Sequence, residues 1–243
     1  MADQGAHNTT TDAEDNPPEN CVLQWPKDCD DQGVNGCIIS AIAAQTAIFT
    51  DEANGETERR EALMYVMHLI GDIHQPLHIE GAFKGGNGIH VCFRRACANN
   101  NLHSVWDTYI PHTMRGLPHS LKENAERQAA SEWADELFKA QRGKSVSIAA
   151  QCADLKAATR CPLIWAAESN QLLCSYVFRP SVEALVDQDL SGKYFEGAAP
   201  IVEEAIGKAG VRLAAWLEAM VKAAQASSSS FELVDEQQQP LEL

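Results

Sequence analysis

The chain has 243 residues, of which 45% are apolar and 22% are charged, and its formal net charge is −15 at pH 7. These values fit a globular protein and argue against a membrane-spanning one, because no apolar run approaches the roughly 18 residues that a spanning helix needs. An acidic chain is an unusual partner for nucleic-acid backbones, unless bound metal ions supply local positive charge that the formal count ignores.

The N-terminal third of the sequence alternates between polar segments and apolar, helix-like segments. Residues 1–20 are polar, acidic and rich in turn formers, so we expect a disordered lead-in. Residues 21–37 form a predicted loop with three cysteines. Helical spacing of apolar residues predicts helices over 38–49 and 56–74. The second helix should end before Pro76, which lacks an N–H and clashes with the preceding turn.

The rest of the chain is also mainly helical in its pattern. A Gly-rich turn and a short strand are predicted over 84–93, and we expect a short β-hairpin there. Further helices are predicted at residues 102–110, 120–142, 163–178 and 197–226. Residues 227–243 are polar and are predicted to be a disordered tail. The sequence therefore predicts an all-α fold, with one mainly helical domain over residues 21–226.

The segment HLIGDIHQPLHIE concentrates histidine and aspartate around the end of the second predicted helix. His68 and Asp72 are four residues apart, so both side chains project from one face of that helix. His78 follows the helix-ending proline. His74 points elsewhere on the helix and is expected to be a supporting or exposed residue. Imidazole nitrogens and carboxylate oxygens are ligands that a catalytic zinc accepts.

The segment NLHSVWD repeats the same spacing with His103 and Asp107. A single His/Asp pair at helical spacing is more often a surface hydrogen bond than a metal site. Two such pairs and a third histidine within 40 residues favour a metal cluster that holds more than one ion.

Cysteine usage and the N-terminus give conflicting indications of the cellular compartment. Eight cysteines are typical of a disulfide framework in a secreted chain, although free buried thiols are the alternative. Yet the first twenty residues contain no apolar core of a signal peptide. Asn8 begins an Asn-Thr-Thr sequon, which is weak evidence for glycosylation on its own.

Together, HLIGDIHQPLHIE, GGNGI and NLHSVWDT resemble the central signature of the secreted fungal zinc-dependent single-strand nucleases, the S1/P1 family, which includes 3′-nucleotidases. NPPENC, DCDDQGVNGCIISAI and AAPIVEEAIGKAGVRLAAWL also resemble that family, and the similarity covers residues 12–226. The related bacterial phospholipase C enzymes share the metal layout but not the wider sequence. The resemblance implies the all-α phospholipase C/P1 nuclease type of fold, with three zinc ions at the bottom of a cleft.

Ligand roles follow from the resemblance, position by position. His68 and Asp72 would ligate one zinc, and Asp72 would bridge to another as the catalytic ligand. His78, His103 and Asp107 would hold the remaining zinc. In the family, metal-activated water attacks phosphorus in line and a zinc stabilises the departing 3′ oxygen. The implied substrates are single-stranded DNA and RNA, cut to 5′-phosphates, and 3′-nucleotides; the implied protein is a secreted monomer.

Disulfide pairings are only partly implied by the resemblance. The family pattern suggests two bonds, Cys29–Cys37 and Cys21–Cys174. Two further pairs rest only on the short loops that they would enclose, Cys92–Cys97 and Cys152–Cys161. Connectivity does not follow from sequence alone, so these last two are hypotheses.

The start of the chain departs from the family pattern. Family members begin with a zinc-binding tryptophan, followed by a histidine, an aspartate and an HFID-like stretch. Here Thr9 and Thr10 fall where the histidine and an aromatic base-stacking residue belong, while Asp12 matches a residue that contacts a base. We therefore expect an N-terminally truncated chain that holds one to two zinc ions and has little nuclease activity. Either the gene model is incomplete, or the short form is a non-catalytic zinc- or nucleotide-binding remnant.

Overall fold

Helices joined by short turns make up the described part of the chain. The computed structural model describes residues 21–29, 36–118, 123–141 and 155–235, without the side chains of 141 and 227–235. Its α-helices are α1 (Ile38–Thr50), α2 (Glu56–Asp72), α3 (Leu102–Ser104), α4 (Ile110–Met114), α5 (Glu123–Gln141), α6 (Arg160–Leu172), α7 (Val182–Leu185) and α8 (Lys193–Asp235). The predicted all-α fold class is confirmed.

Helix ends differ from the sequence prediction at two places that matter. α2 ends at Asp72, two residues before the predicted end, and Pro76 instead opens a 3-10 helix, Pro76–Ile79. α8 continues to Asp235, so the first part of the segment predicted as a disordered tail is helical. Extending an existing helix is far easier than starting one, and serine costs little within it. The predicted lead-in and the last eight residues lie outside the described residues.

The expected β-hairpin is reduced to isolated bridges among the described residues. These bridges pair His90 with Asn101, Cys92 with Asp189, and Phe93 with Ala96. The two antiparallel bridges join the predicted strand to the segment that returns beside it, as in a hairpin, but they differ in register and Cys92 pairs elsewhere, so no continuous ladder forms. The alternating apolar side chains of the predicted strand, Ile89, Val91 and Phe93, are nevertheless buried.

Two hydrophobic clusters form the core and meet at the 3-10 helix. The first includes Phe93, Leu102, Trp106 and Leu173. The second includes Ile39, Ile70, Trp165 and Trp216. Leu77 packs in the first cluster and Ile79 in the second, so the segment that carries His78 is held from both sides.

A partly buried polar network joins the end of α2 to α6 and α8 near this junction. Arg212 donates to His74 Nε2 at 2.9 Å and binds Glu168 through two hydrogen bonds of 2.9 and 2.7 Å. His74 Nδ1 donates to the carbonyl of Ile70 at 2.7 Å, so the ring is a neutral tautomer. Burial, assisted by the charge of Arg212, lowers the pKa of His74 to about 4. His74 is thus a structural residue, buried rather than exposed.

Disulfide bonds reinforce the loops around this core. The pairs Cys21–Cys174, Cys29–Cys37 and Cys92–Cys97 are present, which confirms three of the four predicted bonds. Cys161 is also disulfide-bonded, and Cys152, its predicted partner, lies outside the described residues. Within the described ranges, we find no helix with the length and apolar character to cross a membrane.

Candidate metal centre

Three helical segments bring the five predicted metal ligands to one place. His68 and Asp72 lie one turn apart at the C-terminal end of α2. His78 lies in the 3-10 helix that follows. His103 is in the short α3 and Asp107 is in a π-helical stretch that continues from it, Val105–Tyr109. Single π-helical turns are frequent at functional sites, and the sequence analysis did not predict this one.

The five side chains form one continuous series of contacts. His68 Nε2 is 3.0 Å from Asp72 Oδ2, and Asp72 Oδ1 is 3.5 Å from His78 Nδ1. The other nitrogen of His78 is 3.2 Å from Asp107 Oδ1, and Asp107 Oδ2 is 3.0 Å from His103 Nε2. Helical spacing accounts for the two terminal pairs, whereas the His78 contacts require the chain to fold back.

A tighter group of three lies within this series. Ligand atoms of His78, His103 and Asp107 all lie within 4.8 Å of one another. Among the described residues, no other three His, Cys, Asp or Glu side chains come together in this way. The rings of His78 and His103 stack with centroids 5.1 Å apart. His68 differs, since its side chain is 72% exposed. The geometry therefore offers one three-ligand set and, beside it, the His68/Asp72 pair.

Hydrogen bonding at His103 fits a bound cation. Its Nδ1 donates to the carbonyl of Gly85 at 2.7 Å, while Nε2 faces the Asp107 carboxylate. A neutral imidazole has one donor and one lone pair, so either a proton or a metal ion must lie between Nε2 and the carboxylate. A histidine that ligates a metal through one nitrogen and donates to a carbonyl through the other is the usual arrangement. The residues present therefore fit a metal.

The pKa shifts of His103 and Asp107 also indicate that this group favours a bound cation. Burial lowers the pKa of the His103 ring, but the hydrogen bond and charge of Asp107 outweigh burial, and the net pKa is raised. Burial raises the pKa of Asp107, but hydrogen bonds from His103 and His78 outweigh it, and the net pKa lies well below the ordinary range. The carboxylate is therefore ionised and ready to neutralise a cation.

Two residues that touch the ligands were not predicted from sequence. Gly85 belongs to the quoted GGNGI motif, but its role appears only in space: its φ is +62°, and a Cβ there would lie 2.7 Å from the Leu77 carbonyl oxygen. Glycine is required for this close approach, which sets its carbonyl against His103. Gln75 donates to Asp107 Oδ1 at 2.8 Å, across 32 positions of sequence.

A mainly apolar cavity of about 250 Å³ opens beside the group. Gln75 and Asp107 line it on the ligand side, and Trp106, Val202 and Ile206 line it elsewhere.

Asp12 and Asn8, the predicted base-contacting and glycosylated residues, lie outside the described residues.

Fold and site together define an all-α protein with a candidate His/Asp metal centre. The sequence model of the S1/P1 Nuclease family matches residues 6–222. The chain therefore belongs to the S1/P1 nuclease family, and as a member it is a nuclease, a hydrolase that acts on nucleic acids.

Curated relatives from fungi and plants agree with this assignment. The chain is 40% identical to Nuclease S1 of Aspergillus oryzae (strain ATCC 42149 / RIB 40) over 220 residues, which is 85% of this chain and 69% of that protein. It is 38% identical to Nuclease P1 of Penicillium citrinum over 85% of this chain and 73% of that protein. It is 33% identical to Endonuclease 2 of Arabidopsis thaliana over 83% of this chain and 68% of the plant protein.

Proposed function

We propose that this chain is a zinc-dependent endonuclease. In this proposal it hydrolyses single-stranded DNA and RNA to 5′-phosphates and removes phosphate from 3′-nucleotides. His78, His103 and Asp107 hold one zinc ion, and His68 and Asp72 ligate a second, with Asp72 as the catalytic ligand that bridges to a further ion in the family.

The observation that carries the proposal is the continuous series of His and Asp contacts. Asp72 lies between His68 and His78, with one carboxylate oxygen toward each. His78 meets Asp72 through Nδ1 and Asp107 through Nε2, so Asp72 can ligate an ion together with His68 while His78 Nε2 serves the ion of the three-ligand set. The bridge from Asp72 to a further ion stays a prediction. Nitrogen and oxygen donors of this kind favour zinc over magnesium or calcium, which prefer all-oxygen sites.

The chain is acidic and the proposed substrate is a polyanion, so the two would repel each other without local positive charge at the site. Bound zinc would supply local positive charge, activation of water and neutralisation of the departing oxygen. The backbone carbonyl of Gly85 and the carboxylate of Asp107 hold the two nitrogens of the His103 ring and so fix its orientation. Asp12 would contact a base, and this role stays a prediction.

Disulfide content supports the proposed location. Three disulfide bonds in the described residues fit an oxidising environment, so we propose a secreted protein that acts as a monomer. Glycosylation at Asn8 belongs to the same proposal and stays a prediction.

A second candidate is a non-catalytic zinc-binding protein. The group of three described ligands would hold one zinc, whereas the His68/Asp72 pair supplies two ligands where zinc usually has three or four. Zinc stoichiometry separates the two functions, since the nuclease needs more than one ion per chain and the binding protein needs one.

Metal removal and restoration test the proposal. The purified chain is treated with a chelator, dialysed, and assayed on a labelled single-stranded DNA, a matched duplex and a 3′-nucleotide. We expect the metal-free protein to be inactive and zinc to restore cleavage at a low rate, because the His68/Asp72 pair supplies only two ligands. The single strand should be cut faster than the duplex, and the products should carry 5′-phosphates.

Two results would contradict the nuclease proposal. Undiminished cleavage by the metal-free protein would show that the metal centre is not required. No cleavage by protein that contains about one zinc per chain would instead favour the non-catalytic candidate. A parallel assay on phosphatidylcholine tests whether the chain is an esterase of the phospholipase C type.

A further inference from the structure

Gln75 connects the two ligand-bearing segments. It caps the N-terminus of the 3-10 helix that carries His78, with an extended backbone at φ −91° and ψ 117°. Its Oε1 accepts a hydrogen bond from the N–H of Leu77 at 2.6 Å. Its Nε2 donates to Asp107 Oδ1 at 2.8 Å. One amide therefore spans from the first ligand segment to the second.

The orientation of this amide is determined at both ends. The N–H of Leu77 can only donate, so the amide oxygen must face it. The carboxylate of Asp107 accepts, so the amide nitrogen must face the carboxylate. A flipped amide would oppose donor to donor and acceptor to acceptor. The cap at Leu77 thus aims the Gln75 donor at Asp107.

When zinc is bound, the Gln75 amide can still donate a hydrogen bond to Asp107, whereas the ligating nitrogens of the two histidines cannot. In the structure, Asp107 Oδ1 is also 3.2 Å from His78 Nε2, and Oδ2 is 3.0 Å from His103 Nε2. A histidine that ligates zinc presents a lone pair rather than a proton at the ligating nitrogen. The Gln75 amide needs no such change. It is neutral, does not titrate, and keeps its hydrogen bond to Asp107 with or without the ion.

We infer that Gln75 is a positioning residue that fixes the Asp107 carboxylate for zinc. The inference rests on the proposed zinc centre, but not on any catalytic activity. Partners that hydrogen-bond to metal ligands in this way typically change metal affinity by 10–100-fold when they are removed. The competing explanation is that Gln75 serves only as a helix cap, and serine distinguishes the two roles.

The test compares Gln75→Ser with Gln75→Ala in the full chain. Serine is a good N-cap and keeps an acceptor for the Leu77 N–H, but it is too short to reach Asp107. Alanine loses both contacts. Gln171→Ser, at an exposed position in the last turn of α6, is the matched control. Zinc dissociation constants are measured by competition with a chromophoric chelator, and the thermal midpoint of the metal-free protein is measured by circular dichroism.

We expect both Gln75 variants to bind zinc at least about 10-fold more weakly than the wild type, while Gln171→Ser is unchanged. The metal-free Gln75→Ser protein should melt within a degree or so of the wild type, since the cap is retained. Zinc affinity of Gln75→Ser within about twofold of the wild type would overturn the inference and leave Gln75 as a cap. A wild-type chain that binds no zinc would overturn the inference together with the proposed function, whereas a zinc-binding chain without nuclease activity would overturn only the latter.

Discussion

Alanine at both His78 and His103 is expected to abolish zinc binding at the three-ligand set. The double variant leaves Asp107 as the remaining ligand of that set, and one carboxylate cannot hold zinc, which usually has three or four protein ligands in structural sites and three in catalytic ones. Elemental analysis should show a loss of about one zinc per chain, and cleavage of single-stranded DNA should fall to background.

Two controls make this result specific. His68→Ala removes a ligand from the exposed pair and leaves the set of three intact, so this variant should retain about one zinc per chain. The double variant His90→Ala and His112→Ala changes two histidines outside the centre and should keep full zinc content. Unchanged bound metal in the His78/His103 variant would refute the proposed ligand set, even if activity were lost.

Serine at both Cys21 and Cys174 is expected to cause the largest loss of stability. The bond joins residues 153 positions apart, and in the chain-entropy description a loop of that length contributes about 5 kcal/mol to the free energy of unfolding. That amount is a large share of the roughly 5–15 kcal/mol that stabilises a typical protein. Urea unfolding followed by tryptophan fluorescence measures the change.

Cys92→Ser with Cys97→Ser is the matched control, because that bond encloses a separation of only 5 residues. The same description gives it about 2 kcal/mol. Equal losses in the two double variants would show that loop length does not govern the stabilisation, and a smaller loss for the Cys21/Cys174 variant would contradict the prediction outright.

Local spacing predicted the parts of the centre that lie within one helix. His68 with Asp72, and His103 with Asp107, are each four residues apart, and both pairs are in contact as helical geometry requires. The helices around them were also predictable, because their apolar residues recur at helical intervals.

Contacts between segments were beyond this kind of reasoning. The approach of His78 to both Asp72 and Asp107 depends on how Leu77 and Ile79 pack into two different core clusters. The sequence suggested that His78 belongs to the site, through spacing and family resemblance, but not which atoms it faces.

The residues that support the ligands could not be predicted either, because they also act through contacts between distant segments. Gln75 and Gly85 act through a side-chain amide and a backbone carbonyl that reach residues far along the chain. The predicted β-hairpin forms no continuous ladder because its two antiparallel bridges differ in register, while residue 92 pairs with Asp189 instead. The helix beyond residue 226 was missed because its apolar repeat ends there while the helix continues.

Anomalous diffraction at the zinc absorption edge, from crystals of the zinc-loaded chain, tests the central claim most directly. We predict a strong peak about 2 Å from a nitrogen of His78, a nitrogen of His103 and an oxygen of Asp107, and a second peak beside Asp72. A map in which zinc-loaded protein shows no peak among these side chains, or shows peaks only at unrelated surface residues, would contradict the account.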